Sequence, residues 1–322
     1  MKFVTYSFQG GGDRLGALLS NDKILDLKAV AGDRHSVFDS MLSLIEGGQE
    51  ALDFARKLLR EADHGDAMLL QNVRLRAPIP RPPQIRDFMA FEKHAVKSLL
   101  SALKIRSAAS EDPAQYIKDH QNLEDFKVPP VWYEKPIYYK GNRFAITDPE
   151  KEITWPSYSK VMDYELELAC VIGKKGKNIS KENARDHIFG FTIFNDLSAR
   201  DVQGKEMGGR FGPAKSKDFD DASPMGPCLV TLDEIEDPYD LQMVARINGE
   251  ERSRGNSGSI HWTFEEMIEY VSRDETLYPG EILGSGTIGN GCGLELLNFL
   301  QDGDVVELEI EKIGTLRNRI KK

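Results

Sequence analysis

The amino-terminal part of the chain alternates short apolar runs with turn-forming residues. Apolar runs occupy residues 2–8, 15–19 and 23–27, and the turn formers at residues 10–13 (GGGD) and 21–22 (ND) separate them. Glycine, asparagine and aspartate at such breaks favour tight turns between strands. This pattern predicts a small β-rich unit at the start of the chain.

A helical pattern follows over residues 36–62, where apolar residues recur about once per helical turn. Gly47 and Gly48 interrupt it, so we expect a pair of short amphipathic helices. Four prolines between residues 78 and 83 then exclude a helix and fix an extended backbone. We therefore predict a domain boundary there, with a small N-terminal domain at residues 1–78 and a larger domain at residues 79–322.

The larger domain is predicted to be rich in strands and to contain few helices. Strands are expected at residues 164–172, 189–194, 227–232, 241–247 and 305–310, and helices at residues 92–104, 181–187 and 263–272. Because strands and helices do not alternate as βαβ units, the predicted fold class is α+β. Residues 107–127 are polar and lack periodicity, which leaves open a mobile lid and a plain surface loop.

The amino-acid composition narrows the classes of protein to which this chain could belong. The chain has 52 acidic and 42 basic residues and no run of five or six lysines or arginines, so we expect no nucleic-acid partner. Neither a membrane-spanning apolar stretch nor the apolar part of a secretion signal is visible, so we expect a soluble, cytoplasmic protein without a membrane partner. Cys170, Cys228 and Cys292 lack the close spacing of zinc or redox motifs, and we expect reduced thiols packed in the core.

Two glutamates on one predicted strand are the first candidates for functional residues. Glu165 and Glu167 are two residues apart, so their side chains project from the same face. Their apolar neighbours predict a buried strand, where ionised carboxylates cost several kcal/mol unless a cation offsets them. A divalent metal with oxygen ligands would explain the pair. The alternative is the solvated outer face of an edge strand.

A second apolar strand ends in a dense polar cluster at residues 195–203. Asp196 can supply a third carboxylate at this strand end, where functional sites are often built. Asp201 either belongs to the same site or holds a loop or a neighbouring arginine, and the local sequence leaves both open.

These segments carry a family resemblance. DYELELACVIG (residues 163–173) followed by FTIFNDLSARDVQ (residues 191–203) resembles the signature of the fumarylacetoacetate hydrolase family, and the likeness continues in order from about residue 79 to the end. The resemblance implies a mixed β-sandwich roll, a homodimer, and a divalent cation, Mg²⁺ first and Mn²⁺ or Ca²⁺ as alternatives. In the family, the Glu-x-Glu pair and the aspartate of the second motif bind that cation.

Asp87 and His94 resemble the fumarylacetoacetase branch more than the short acylpyruvase branch. The resemblance implies that Asp87 is a fourth metal ligand, that His94 is the general base and that Glu295 orients His94. Taken alone, Asp87 could be a helix N-cap, His94 a surface residue of a helix and Glu295 the outward residue of a strand.

The resemblance also implies residues that contact the substrate or stabilise the developing charge: Arg200, Gln203, Lys217, Tyr139 and Thr287. Lys215 competes with Lys217 if the alignment of this segment slips by two residues. Arg200, Gln203 and whichever lysine is meant could each instead be a solvated surface group, and the tyrosine and the threonine could be a buried aromatic and a turn residue.

The function that the resemblance implies is a hydrolase that cleaves a carbon-carbon bond in a small anionic β-diketo acid. His94 and Glu295 would activate water, and their presence together with Asp87 favours hydrolysis. Three other reactions use the same enolate chemistry without a hydrolytic water: decarboxylation of oxaloacetate-like acids, isomerisation and dehydration of sugar acids. A catalytically silent protein that binds a keto acid is a further alternative. The loop between Thr287 and Glu295 is short for a true fumarylacetoacetase, and this leaves the substrate open.

Overall fold

The computed structural model describes residues 1–20, 22–32, 35–63, 65, 67–120 and 128–322. The described helices are α1 (Leu27–Ala31), α2 (Met41–Glu46), α3 (Gly48–Glu61), α4 (Glu92–Ala108), α5 (Pro113–His120), α6 (Val131–Glu134), α7 (Lys181–Ala184), α8 (Arg200–Gly208), α9 (Phe264–Ser272) and α10 (Gly293–Leu296). The first strands are β1 (Lys2–Ser7), β2 (Arg14–Ser20), β3 (Lys23–Asp26), β4 (Met68–Leu69), β5 (Arg74–Leu75), β6 (Ile85–Phe88), β7 (Tyr138–Lys140), β8 (Ile146–Thr147), β9 (Glu152–Thr154) and β10 (Met162–Asp163). The others are β11 (Leu166–Ile172), β12 (Ile188–Asn195), β13 (Ser198–Ala199), β14 (Ser223–Thr231), β15 (Gln242–Ile247), β16 (Glu250–Asn256), β17 (Ile282–Gly284), β18 (Val305–Ile310) and β19 (Gly314–Lys321).

Two sheets dominate the described part of the chain. The larger has the strand order β4-β3-β2-β1-β14-β12-β11-β17-β6-β7, with β5 beside β1 and β8 beside β14. The smaller has the order β16-β15-β18-β19-β9. Most neighbours are antiparallel, whereas three described pairs are parallel: β17 with β6, β19 with β9 and β14 with β8. The predicted β-rich α+β fold with mixed sheets is confirmed.

The central strand β11 is buried on both faces, and its side chains alternate between two cores. Leu166, Leu168 and Cys170 pack with residues of β15 and β18, so this face of the larger sheet covers the smaller sheet. Ala169 and Val171 belong to a second core, which α2 and α3 cover. Because side chains alternate along a strand, Glu165 and Glu167 lie on the same face as this second core.

The amino-terminal segment extends the larger sheet. β1 pairs antiparallel with β14, with Phe3 opposite Leu229, and β2 and β3 follow outward. The helix pair predicted at residues 36–62 is confirmed as α2 and α3. The boundary near residue 80 stays a prediction, since the sheet and the second core continue across it.

Residues 107–127 differ from the predicted loop. Helix α4 continues to Ala108, and α5 covers Pro113–His120. Asp112 begins α5, because its carboxylate accepts a hydrogen bond from Gln115 N at 3.0 Å, and proline suits the first helical turn. The dipeptide Asp112-Pro113 thus indicates the start of a helix, although the segment lacks the apolar periodicity that would have predicted one. The rest of this segment, residues 121–127, lies outside the described residues, and the lid stays a hypothesis.

Strand β16 is a further difference, because its sequence EERSRGN carries no apolar alternation. It is an edge strand that pairs only with β15 among the described strands, so its charged side chains face solvent. Pairing with β15, rather than a hydrophobic pattern of its own, therefore determines that this segment forms a strand. In the described part of the chain, no helix has both the length and the apolar character that crossing a membrane requires.

The core between the two sheets gives a stability prediction. Leu308 of β18 is fully buried there, so Leu308→Ala is expected to lower the free energy of unfolding by about 2–5 kcal/mol. Leu99→Ala on α4 is the control; its side chain is 38% exposed, and a change below about 0.5 kcal/mol is expected. Urea unfolding of both variants measures the difference, and equal losses would contradict the assigned core.

Candidate active site

The larger sheet brings carboxylates from three strands together on one face. Asp87 lies in β6, Glu167 in β11, and Asp196 directly follows β12. These strands are close neighbours, in the order β12-β11-β17-β6. Each carboxylate is two residues from an apolar side chain of the core that α2 and α3 cover: Ile85, Ala169 and Phe194. The period of two along a strand therefore places all three acids on the face of that core.

The three carboxylates form a compact acidic cluster. Asp87, Glu167 and Asp196 each offer an oxygen, and these atoms lie within 4.8 Å of one another. All three residues are at least 95% buried. Burial raises the pKa of Asp87 and of Glu167 well above the usual range, and the neighbouring carboxylates raise these pKa values further. Like charges at this separation repel strongly unless a cation or a proton offsets them.

Two observations indicate that the acidic cluster fits a cation. Oδ1 of Asp87 and Oδ1 of Asp196 are buried and have no hydrogen-bond partner among the described residues. Gly284 lies against one of these two atoms, because a Cβ there would stand 2.5 Å from Asp87 Oδ1, and it would also stand 3.0 Å from Glu167 Oε2. The glycine therefore keeps space beside an unsatisfied carboxylate oxygen of the cluster. Carboxylate oxygens alone suit a hard divalent cation.

Glu165 adjoins this cluster but faces two cationic side chains. Lys217 Nζ donates to Glu165 Oε2 at 2.7 Å and also contacts Asp196. Arg200 Nη2 donates to Glu165 Oε1 at 2.7 Å. Burial raises the pKa of Glu165, but the charges of Lys217 and Arg200 outweigh it and lower the pKa below its usual range. The role of Glu165 as a metal ligand stays a prediction, because both of its oxygens bind cationic side chains here.

The alternative that these acids and cations are solvated surface groups is wrong. Glu165, Glu167, Arg200 and Lys217 are all at least 92% buried. Lys215, the competing lysine, is exposed and lies over the ring of Tyr158 with Nζ 5.2 Å from its centroid. The structure therefore places Lys217, and not Lys215, among the carboxylates.

Arg200 connects Glu165 with two other side chains. Its Nε donates to Asp163 Oδ2 at 2.7 Å, and its Nη1 donates to Gln203 Oε1 at 2.8 Å. Gln203 therefore lies at the site through Arg200, and a direct contact of Gln203 with substrate stays a prediction. Asp201, left open by the sequence, accepts hydrogen bonds from Ser159 Oγ at 2.6 Å and Lys160 N at 2.9 Å. It holds that loop.

Asp163 is a residue that the sequence reasoning did not assign. It is fully buried and accepts hydrogen bonds from the backbone N–H groups of Gly293 and Leu294, at 2.7 and 2.8 Å. It thus anchors the first turn of α10, which carries Glu295. The only local signal was its position before the Glu-x-Glu pair, because its backbone partners are 130 and 131 residues away and Arg200 is 37 residues away.

His94 and Glu295 form a buried pair beside the carboxylates. His94 Nδ1 lies 2.8 Å from Glu295 Oε1, and the other oxygen of Glu295 accepts a hydrogen bond from Asn290 N at 2.7 Å. The side chains are 7% and 0% exposed. His94 is also close enough for its charge to contribute to the lowered pKa of Glu165. Glu295 thus fixes the ring of His94 within reach of the site.

The alternative interpretations of Asp87, His94 and Glu295 are wrong. Asp87 lies within β6, and the residue before α4 is Phe91. His94 is only 5% exposed, so it is not a surface helix residue. Glu295 belongs to the short helix α10, not to a strand.

Tyr139 and Thr287 both contact the acidic cluster. Tyr139 Oη donates to Asp196 Oδ2 at 2.7 Å, and burial followed by the charge of Asp196 raises the tyrosine pKa, so the phenol stays protonated. Thr287 Oγ1 donates to Glu167 Oε1 at 3.3 Å, and Gly286 N donates to Glu167 Oε2 at 3.1 Å. The structure thus places both residues at the site, and their contact with substrate stays a prediction.

This chain is similar to known proteins in both sequence and fold. The profile of the family described as fumarylacetoacetate (FAA) hydrolase C-terminal matches residues 108–321. Oxaloacetate tautomerase YisK of Bacillus subtilis (strain 168) is 33% identical over 316 residues, which cover 95% of each chain. The mitochondrial oxaloacetate tautomerase FAHD2A of Homo sapiens is 38% identical over 203 residues, or 63% of each chain.

Solved structures share the fold over the whole chain. A fumarylacetoacetate hydrolase from psychrophilic Exiguobacterium antarcticum has 28% identity and a TM-score of 0.74, with 100% of this chain and 99% of that one covered. Maleylpyruvate hydrolase from Sphingobium sp. SYK-6, in complex with manganese(II) ion and pyruvate, has 22% identity and a TM-score of 0.72, with 100% and 99% covered. At that identity the second likeness concerns the fold alone.

The space beside Gly284 gives a test of the cation site. Gly284→Ala is expected to displace the carboxylates of Asp87 and Glu167, because the added Cβ would overlap Asp87 Oδ1. We expect Mn²⁺ to raise the melting temperature of the wild type, since a cation that binds the folded state stabilises it, and this rise should shrink or vanish in the variant.

Gly204→Ala is the matched control for this substitution. A Cβ at Gly204 would meet nothing within 4 Å, so the Mn²⁺ response should match that of the wild type. An unchanged Mn²⁺ response in Gly284→Ala would contradict the placement of the cation.

Proposed function

This chain belongs to the fumarylacetoacetate hydrolase family, and from that premise we propose that it is a metal-dependent enzyme that interconverts the enol and keto forms of a small keto diacid of the oxaloacetate type. The observation that carries the proposal is the similarity of nearly the whole chain to an oxaloacetate tautomerase. Of the reactions that the sequence leaves open, isomerisation is the one that this relative supports better than hydrolysis.

Charge balance supports the dependence on a metal. Five buried carboxylates and two buried cationic side chains share the site: Asp87, Asp163, Glu165, Glu167, Asp196, Lys217 and Arg200. If all are ionised, negative charges exceed positive charges by three, and a dianionic substrate would be repelled. A divalent cation would remove two of those three charges. Asp87, Glu167 and Asp196 would hold it, with Glu165 as a further ligand if it released Lys217.

The chemistry of the reaction matches these groups. Interconversion of enol and keto forms moves a proton between an oxygen and the carbon next to the one that bears this oxygen, so it needs a general acid and base and stabilisation of charge on the oxygen. When bound, a divalent cation supplies a Lewis acid for neighbouring keto and carboxylate oxygens. Tyr139 and Lys217 contribute protonated donors beside Asp196.

His94 is the residue that can exchange the proton. Its Nδ1 is engaged by Glu295, which leaves Nε2 as the nitrogen for proton transfer with the substrate. Ser98 Oγ lies 3.3 Å from Nδ1 and 3.4 Å from Nε2, so it borders the ring without being assigned to either nitrogen. Glu295 stabilises the imidazolium that forms when His94 accepts the proton. Asp163 supports this arrangement by anchoring α10.

Hydrolysis of a β-diketo acid is the second candidate function. The observation that favours it is the same His94–Glu295 pair, because a carboxylate-oriented histidine also activates water. The two candidates differ in their products. Hydrolysis releases an acid and a shorter keto acid, whereas tautomerisation changes no carbon-carbon bond.

A substrate panel distinguishes the candidates. With Mg²⁺ or Mn²⁺ present, the enzyme is expected to accelerate the conversion of enol-oxaloacetate to its keto form more than it accelerates any other reaction of the panel. The loss of enol absorbance measures this reaction. Release of pyruvate from oxaloacetate measures decarboxylation, and release of pyruvate from acylpyruvates measures hydrolysis. Faster cleavage of acylpyruvates than tautomerisation would make the hydrolase the better assignment.

Replacement of His94 tests the proton-transfer role. His94→Ala is expected to lower kcat for tautomerisation by about 10²- to 10⁴-fold, as is typical of lost acid-base catalysis. The Mn²⁺-induced rise in melting temperature should remain, because His94 is not assigned as a ligand of this cation. His35→Ala, which removes an exposed histidine from the N-terminal segment, is the control. Wild-type turnover in His94→Ala would exclude the assigned role.

Glu295→Gln should lower kcat less than His94→Ala does, because the ring loses only its orienting charge. The double variant should be scarcely worse than His94→Ala alone, since the two residues act as one unit. Steady-state kinetics of the three variants measures this coupling. Fully additive losses would show that Glu295 acts independently of His94.

A further inference from the structure

The pair of His94 and Glu295 has a third neighbour that the proposed reaction does not use. Cys292 is fully buried, and its Sγ lies 3.6 Å from Glu295 Oε1 and 4.0 Å from His94 Nδ1. His94 Nδ1 and Glu295 Oε1 are 2.8 Å apart. An imidazole nitrogen, a thiol sulfur and a carboxylate oxygen therefore converge within 4.8 Å.

These separations approach those of ligands around a tetrahedral zinc ion. With Zn–S near 2.3 Å and Zn–N near 2.0–2.1 Å, two such ligands at a tetrahedral angle are about 3.5 Å apart. The two distances to Cys292 Sγ, 3.6 and 4.0 Å, lie close to that value. The shorter contact between His94 and Glu295 would open when both turn toward an ion.

The types of ligand atom also distinguish the cluster of His94, Cys292 and Glu295 from the acidic cluster. Asp87, Glu167 and Asp196 offer oxygen only, which suits Mg²⁺ or Mn²⁺. Nitrogen with sulfur and one carboxylate suits zinc, and three protein ligands leave the fourth position open. His94 lies on α4, whereas Cys292 directly precedes α10 and Glu295 lies in its first turn. Because α4 and α10 are far apart in the sequence, the spacing of the residues does not indicate the three-residue cluster.

We propose that His94, Cys292 and Glu295 form a second cation site, at which Zn²⁺ binds and inhibits the enzyme. Binding replaces the thiol proton of Cys292, which leaves to solvent, by a sulfur–zinc bond. It also takes His94 Nδ1 and the Glu295 carboxylate out of their mutual hydrogen bond. The inhibition rests on the proposed proton transfer by His94, whereas the binding of the ion does not.

Spectroscopy tests the site without a substrate. Co²⁺ is added to the Mg²⁺-saturated protein, and the near-ultraviolet charge-transfer absorption of a cobalt–thiolate bond is measured. The wild type is expected to show this band, and Zn²⁺ should abolish it by displacement. Cys292→Ala should lack the band. Cys228→Ala is the matched control, because it removes another buried thiol, whose Sγ donates to the carbonyl of Ile313 at 3.3 Å.

Inhibition by Zn²⁺ in excess Mg²⁺ gives the second measurement. Wild type and Cys228→Ala should be inhibited alike, and Cys292→Ala should need at least about 10-fold more Zn²⁺, each relative to its own rate without zinc. If Cys292→Ala does not fold, Cys292→Ser serves instead, since a hydroxyl binds zinc more weakly than a thiolate.

The outcomes separate this proposal from the proposed function. No thiolate band in the wild type, or equal sensitivity of wild type and Cys292→Ala to zinc, would overturn the second site and place any inhibition at the carboxylates. A band with no tautomerase activity would leave the cation site standing and reject the proposed reaction.

Discussion

Among the residues that the structure describes, five carboxylates are buried at one end of the larger sheet, and two cationic side chains share that space. Burial, followed by the repulsion between these carboxylates, raises the pKa of Asp87 and Glu167. Oδ1 of Asp87 and Oδ1 of Asp196 have no hydrogen-bond partner among the described residues. A fold retains such an arrangement at a cost in stability, which a bound cation offsets. The strands that hold the acids are fixed by the two cores, so the charges cannot separate without disrupting the sheet.

The remaining parts of the site depend on this excess of charge. Lys217 and Arg200 are buried because Glu165, Asp163 and Asp196 compensate their charge, and Arg200 joins Glu165 to Asp163. Asp163 in turn anchors α10, and α10 positions Glu295 against His94. The acidic cluster and the proton-transfer pair are thus connected through one chain of ionic and hydrogen bonds, which explains how residues far apart in sequence form one site.

The sequence predicted the parts of this arrangement that rest on local pattern. The alternation around Glu165 and Glu167 identified the buried strand, and the family resemblance brought Asp87, His94 and Glu295 into the same site. Local pattern could not reveal Asp163 as an anchor, Gly284 as a spacer or Cys292 beside His94, because each acts through contacts distant in sequence. It also did not show whether Glu165 faces a metal or Lys217, since that depends on the competition between cations.

The central claim is that the acidic cluster of Asp87, Glu167 and Asp196 binds one divalent cation. Calorimetric titration of the metal-free protein with Mn²⁺, in a buffer from which Zn²⁺ has been removed beforehand, tests it most directly. We expect one Mn²⁺ per chain in the wild type and loss of that binding in Glu167→Gln, which keeps the size of the side chain but removes its charge. Binding of Mn²⁺ to Glu167→Gln with wild-type affinity and stoichiometry would contradict it.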